Sequence, residues 1–180
     1  MSTDGQLVQE TEIPLKLFQL QGNIKRKILV VLLSLSPIVI IFGLGSIWTP
    51  TTNVGSTVSG RPPSWVFGVA WAIITLAWTI SLYIASTHMS TKSYIYFIVL
   101  SIIVSILCVI WLWISSDSKI VAAPLLLLIN FISFITLVFT MLTNYKPNQH
   151  RNAKLLCGLG MVPLSIWTIF TCFLNYLDIN

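Results

Sequence analysis

Five long stretches without a charged residue divide this 180-residue sequence, and they limit its fold more than any other feature. They run over 28–48, 65–86, 93–116, 120–143 and 155–177. Each is long enough to cross about 30 Å of hydrocarbon as an α-helix, which rises about 1.5 Å per residue. The stretches are continuously apolar and do not alternate, so membrane strands are the wrong interpretation. Because only helices satisfy their own backbone in lipid, we predict an all-α fold, an integral membrane bundle of five transmembrane helices.

Composition supports a multi-pass membrane protein with one folded domain. Hydrophobic residues make up 56% of the chain and charged residues only 8%, whereas a soluble domain carries about 25% charged residues. We expect a polar N-terminal tail over 1–24 and a membrane domain over 25–180. The tail is not expected to be a cleaved signal peptide, because the apolar run that follows it is too long for one.

Basic residues are distributed unevenly between the two sides of the predicted bundle. The tail, the 87–92 turn and the 144–154 loop contain eight of them: Lys16, Lys25, Arg26, Lys27, Lys92, Lys146, Arg151 and Lys154. The other side contains only Arg61 and Lys119. Since basic loops stay in the cytosol, we predict a cytosolic N-terminus. We interpret the positive net charge as a signal of membrane orientation, and we expect no nucleic-acid partner.

Asp, Glu, Lys, Arg and His are missing from the interiors of all five predicted spans. This argues against proton-coupled transport and against hydrolytic chemistry, which needs an acid, a base or an activated nucleophile. The cysteines Cys108, Cys157 and Cys172 form no metal-ligand pattern, and His88 and His150 lie in loops. We therefore expect no catalytic residue, no metal and no required cofactor.

Seven tryptophans are the most distinctive side chains that remain, and they lie at different depths. Trp48, Trp65, Trp111 and Trp113 are at span ends, where an interfacial belt explains them. Trp78 and Trp167 lie near the middle of their spans. A tryptophan at that depth needs either a partner for its indole N–H or a cavity.

Helical spacing places aromatic residues on one face of two different spans. The second span contributes Phe67, Trp71, Thr75 and Trp78, and the fifth contributes Pro163, Trp167, Phe170 and Leu174. The two faces are equally compatible with tight core packing and with a pocket for a small apolar ligand. If they form a pocket, we expect Trp113 near its opening and orienting polar groups from Thr75, Asn130 or Asn175.

Four motifs, in order and spacing, resemble the TspO/translocator protein family, the tryptophan-rich sensory proteins also described as peripheral-type benzodiazepine receptors. These are GLGS (43–46), PPSWVFGVAW (62–71), WLW (111–113) and MVPLSIWTIFTCFLNY (161–176). The resemblance extends over about 150 residues. It implies a five-helix bundle with a ligand cavity beneath the loop between the first two helices. Val69, Thr75 and Leu164 replace more characteristic family residues, so we expect a more apolar pocket here.

The helix-start motif Pro62, Pro63 and Trp65 has a simple physical interpretation. Proline fixes φ and is tolerated at the start of a helix, and Trp65 anchors that start at the membrane surface. Gly68 has no side chain, which allows a neighbouring helix or a ligand to approach. The resemblance implies that this stretch borders the ligand cavity.

Three functions remain open from the sequence. The first is a membrane receptor or carrier that binds a flat apolar ligand, porphyrin-like (haem or protoporphyrin IX) or sterol-like, and it is preferred. The second is a tryptophan-dependent enzyme that degrades porphyrin photo-oxidatively, and the third is a structural or signalling protein without a ligand. The lipid bilayer is a partner in each. The pair Ser101 and Ser105 also predicts a homodimer through the third helix, because small residues four apart allow close backbone approach.

Overall fold

The structure is a computed structural model that describes residues 24–48, 63–117, 119–143 and 151–179. Within these ranges the chain is helical apart from short turns, and contains no β-strand. The elements are α1 (Ile24–Ser34), α2 (Ser36–Ile38), a π-helical segment (Val39–Leu44), α3 (Gly45–Trp48), α4 (Ser64–His88), α5 (Thr91–Asp117), α6 (Lys119–Leu142), α7 (Arg151–Leu159) and α8 (Val162–Ile179).

Four helical segments are long and apolar enough to cross a membrane: Trp65–His88, Thr91–Ser115, Ile120–Leu142 and Asn152–Leu177. The bent pair Lys27–Ser34 and Ser36–Leu44 makes a fifth if it is counted as one span. The predicted all-α membrane bundle is therefore confirmed, with four to five membrane-crossing helices.

The first span is not the single straight helix that its hydropathy predicts. It bends by 40° between α1 and α2, and the π-helical segment follows directly. Pro37 explains the break, because proline has no backbone N–H and removes the usual helical donor to the carbonyl of Leu33. Neighbouring side chains, ordered waters and local π-helical turns are the usual means of satisfying such freed groups in lipid.

The last span is also interrupted, between α7 and α8. The backbone N–H of Met161 donates to the carbonyl of Gly158 at 2.9 Å, which is the tighter spacing of a 3₁₀ turn. Pro163 follows and cannot donate to the carbonyl of Leu159, where α7 ends. Gly160, in the turn between α7 and α8, lies directly against α4.

The helices pack in a bundle whose centre is completely buried. The most extensive neighbours are α5 with α6 and α6 with α8, while α7 lies against α4 and the π-helical segment against α5. Trp78, Phe97, Leu126 and Met161 are among the largest side chains with almost no exposed surface. The outer surface of α6 carries exposed apolar side chains such as Phe131, as expected of a surface that faces lipid.

Candidate functional site

Three aromatic rings from α4 and α8 form a cluster near the start of α4. The ring of Phe67 meets Trp167 edge to face, with centroids 5.3 Å apart. The ring of Phe170 lies on the same side of α8, with its centroid 5.4 Å from that of Trp167. These separations fall within the range of favourable aromatic contacts. The structure thus brings together the two faces that helical spacing predicted, at their Phe67–Trp167 ends.

The first turns of α4 beside this cluster combine a buried tryptophan with open space. Trp71 is buried, and Thr75 donates its hydroxyl to the Trp71 carbonyl at 2.8 Å. Because that hydroxyl is occupied by its own helix, it is not oriented toward a ligand. Gly68 lies three residues before Trp71, and a Cβ placed there would meet no atom within 4 Å. In this protomer no neighbouring helix from the described ranges occupies the gap at Gly68.

Trp78 occupies the contact between α4 and α5. It is completely buried, and its indole N–H donates to the Ser101 hydroxyl on α5 at 3.0 Å. Trp78 thus has the partner that was predicted as one of two ways to place a tryptophan at this depth, whereas the indole of Trp167 has none among the described residues. Trp78 has no exposed surface in this conformation, and its place in a ligand pocket stays a prediction.

Two buried nitrogen atoms on α8 have no hydrogen-bond partner among the described residues. They are the indole Nε1 of Trp167 and the amide Nδ2 of Asn175. The nearby Asn130 on α6 accepts a hydrogen bond from Thr168 at 3.3 Å, so its side-chain oxygen serves helix packing. Unpaired buried N–H groups are uncommon, because each loses the hydrogen bonds it makes in water. Two buried N–H donors on one helix therefore lack an acceptor within the described part of the chain.

The remaining predicted site residues occupy peripheral positions. Pro163 stands in the first turn of α8 and is half-buried. Pro63 precedes α4 and is exposed, and Trp65 is 68% exposed, as expected of an interfacial anchor. Trp113 is 54% exposed near the end of α5. Pro62 lies outside the described residues.

Trp111 and the serine pair differ from expectation. Trp111 was predicted to lie in the interfacial belt, but it is buried inside the bundle. Ser101 and Ser105 have no exposed surface. Ser101 accepts the Trp78 N–H, and Ser105 donates to the Ser101 carbonyl at 2.8 Å. Both serines face the interior of the protomer in this structure, and a homodimer through the third helix stays a prediction.

A second close contact was missed by sequence reasoning. Ser81 on α4 donates to the carbonyl of Cys157 at 3.1 Å, and Gly160 lies against the same turn of α4. The glycines themselves were the available signal, since small residues mark close helix approach in membranes: Gly160 lies against α4 and Gly158 against α6. Which helix approaches them is not encoded in that spacing.

The described side chains contain no group of three or more His, Cys, Asp or Glu residues that could hold a metal ion. The arrangement that remains is an aromatic cluster with unpaired N–H donors. Its side chains have ring surfaces and N–H groups, whose chemistry is stacking and hydrogen-bond donation. Comparison of the chain with protein-family models, with curated proteins and with solved structures found no match.

Proposed function

We propose that the protein is a membrane receptor or carrier for a flat apolar ligand, porphyrin-like or sterol-like, of the kind bound by the TspO/translocator protein family that its motifs resemble. The observation that carries the proposal is the Phe67–Trp167–Phe170 cluster. It offers ring surfaces from two helices, as stacking on a flat ligand requires. The buried but unpaired Nε1 of Trp167 adds a donor at the same place.

The polar groups near this cluster limit the class of ligand that it can bind. Thr75 is bonded to its own helix, and the unpaired polar atoms on α8 are the N–H donors of Trp167 and Asn175. A ligand that fits would therefore present broad apolar faces and one or two acceptor atoms. Tetrapyrroles with carboxylate side chains and keto-sterols both have that chemistry. A Cβ placed at Gly68, the residue after Phe67, meets no atom within 4 Å, which leaves room for such a ligand to approach this turn of α4.

Binding of protoporphyrin IX by purified protein in lipid nanodiscs tests the proposal. We expect saturable quenching of tryptophan fluorescence by the parent protein. Phe67→Ala is expected to weaken binding about tenfold, because an aromatic contact contributes about 0.5–1.5 kcal/mol beyond buried area and about 1.4 kcal/mol is a factor of ten. Trp167→Ala, followed through porphyrin absorbance, should have an effect at least as large.

The matched control is Phe131→Ala, which removes the same ring from an outward position on α6 that is 62% exposed. It leaves all tryptophans in place and should bind porphyrin like the parent. Equal binding by folded Phe67→Ala, Trp167→Ala and Phe131→Ala proteins would exclude the cluster as the ligand site. Light-dependent loss of bound porphyrin absorbance, and its absence in the dark, would favour the photo-oxidative enzyme.

We also propose that the N-terminus of α1, the α4–α5 turn and the start of α7 face the cytosol. Successive spans alternate in direction, so these three ends share one side of the bundle. Lys27 and Lys92 stand there with exposed side chains, and Lys154 lies there half-buried. Basic residues of this kind remain on the cytosolic side during insertion.

Cysteine labelling in intact cells tests this orientation. In a background without Cys108, Cys157 and Cys172, we expect Asn148→Cys to resist a membrane-impermeant maleimide. Ser56→Cys, in the sequence between α3 and α4, should react with it. Reaction at Asn148→Cys but not at Ser56→Cys would reverse the orientation.

A further inference from the structure

The charged residues of this bundle are separated between its two ends. The acidic residues within the described ranges, Asp117 and Asp178, lie at the ends of α5 and α8, on one side of the bundle. Lys119 begins α6 on that same side, two positions after Asp117. The other basic residues that the structure describes lie in the first turns of α1, α5 and α7, on the opposite side: Lys25, Arg26, Lys27, Lys92, Arg151 and Lys154.

The packing of α4 brings these three helix starts to one place. Ser81 on α4 donates to the Cys157 carbonyl at 3.1 Å, and α7 runs antiparallel to α4, so the first turn of α7 lies beside the last turns of α4. The helix α1 also packs against α4, and only two residues separate the end of α4 from the start of α5. Lys27 and Lys92 are exposed at this end. The first turns of α1, α5 and α7 are called the basic surface below.

Helix polarity adds to the positive charge of the basic surface. The unpaired N–H groups at a helix start carry a positive partial charge, and basic side chains beside them are unfavourable unless an anion is close. None of these three first turns contains an acidic residue. The positive-inside rule explains why basic residues gather on this side of the bundle, but it supplies no counter-charge.

The basic surface lies at the depth of lipid headgroups. Lys92 and Lys154 are in the first turns of the membrane-crossing segments Thr91–Ser115 and Asn152–Leu177, which have 25 and 26 residues. At about 1.5 Å per residue each segment is roughly 38 Å long, whereas hydrocarbon is about 30 Å thick and a bilayer with its headgroups about 40–45 Å. The starts of these segments therefore reach into the headgroup layer.

We infer that the basic surface binds the headgroups of anionic phospholipids in the adjoining leaflet. Ammonium and guanidinium groups form charge-assisted hydrogen bonds with phosphate oxygens, and clusters of four to eight basic residues beside membrane helices are typical of such binding. A soluble polyanion fits less well, because these basic residues lie on the crossing helices themselves, at the depth of the headgroups. The inference is independent of the aromatic cluster and its ligand.

Native mass spectrometry of the protein with single lipids in detergent tests the basic surface. We expect the parent to prefer phosphatidylglycerol over phosphatidylcholine of the same acyl chains by at least tenfold. Each basic side chain near a headgroup contributes about a factor of five, which corresponds to about 1 kcal/mol. The double variant Lys27→Gln with Lys92→Gln removes two exposed charges and should lower the preference at least fivefold.

The matched control is Arg61→Gln with Lys119→Gln, which changes the net charge equally. Arg61 lies in the sequence before α4, and Lys119 is at the start of α6. This variant should keep the preference of the parent for phosphatidylglycerol. Equal affinity of the parent for both lipids, or an equal loss in both double variants, would overturn the inference. Loss of the preference in millimolar inorganic phosphate would assign the surface to a soluble anion instead.

Discussion

Gly160→Val is expected to leave no correctly folded protein after solubilisation. A Cβ at this position would lie 2.7 Å from the Ala77 carbonyl oxygen and 2.8 Å from the Ser81 Cβ, closer than side-chain carbons are found, and it would collide with the Ser81 hydroxyl. The Ser81 hydroxyl can rotate, but the Ala77 carbonyl oxygen and the Ser81 Cβ are fixed to the backbone of α4 and cannot. The turn between α7 and α8 would have to leave α4.

Gly160→Ala is the milder form of the same test. We expect a loss of about 1–3 kcal/mol or more in the free energy of unfolding, which is typical of an overfilled interior. A thiol-reactive dye that reports exposure of the buried Cys108 and Cys157 measures the midpoint. The matched control is Gly68→Ala, because a Cβ there meets nothing within 4 Å.

Gly68→Ala should raise the midpoint slightly, since alanine in a helix is favoured over glycine by roughly 0.5–1 kcal/mol. Adding Ser81→Ala to Gly160→Ala should recover part of the lost stability by removing the hydroxyl from the collision. The α7–α8 contact with α4 would be wrong if Gly160→Ala were as stable as Gly68→Ala.

The second large effect is expected at Trp78. Trp78→Ala should destabilise the protein by about 3–5 kcal/mol, the range found when a large aromatic side chain is removed from a packed interior. Ser101→Ala keeps the ring but leaves its buried indole N–H without an acceptor, so we expect a loss of about 1–3 kcal/mol. The thiol-reactive dye measures both variants.

Trp65→Ala is the control for Trp78→Ala, because Trp65 is 68% exposed at the start of the same helix. It should leave the midpoint nearly unchanged. The porphyrin titration adds a second measurement that separates packing from binding. A Trp78→Ala protein with the parent's stability but without porphyrin binding would show that Trp78 lines the pocket after all, against the packing seen here.

Hydropathy and length were sufficient to predict the helical membrane fold. Lipid offers no hydrogen bonds to a backbone, so a charge-free run of about 20 residues has few alternatives to a spanning helix. The same reasoning anticipated the exposed Trp65 at the start of α4. It did not anticipate the bend at Leu35, because hydropathy is insensitive to the lost N–H of Pro37.

Helical spacing predicted which residues share a face, and for the aromatic cluster that was enough to anticipate the approach of Phe67 to Trp167. Helical spacing does not predict which neighbouring helix a face contacts. Trp78 lies on the same face of α4 as Trp71, yet it enters a closed contact with Ser101, 23 positions further along the chain. The same ambiguity made Ser101 and Ser105 resemble an outer contact between protomers, although they lie inside one.

The apolar composition of each segment was thus sufficient to predict a membrane-spanning helix, because each segment must satisfy its own backbone hydrogen bonds in lipid. The neighbours of each face were decided by the tertiary structure, because in a bundle that is apolar inside and outside, hydrophobicity does not distinguish core from lipid surface. Close fit and hydrogen bonding make that distinction instead. Gly160 against Ala77 and Ser81, and Trp78 against Ser101, are contacts of that kind, and each depends on two helices that are distant in sequence.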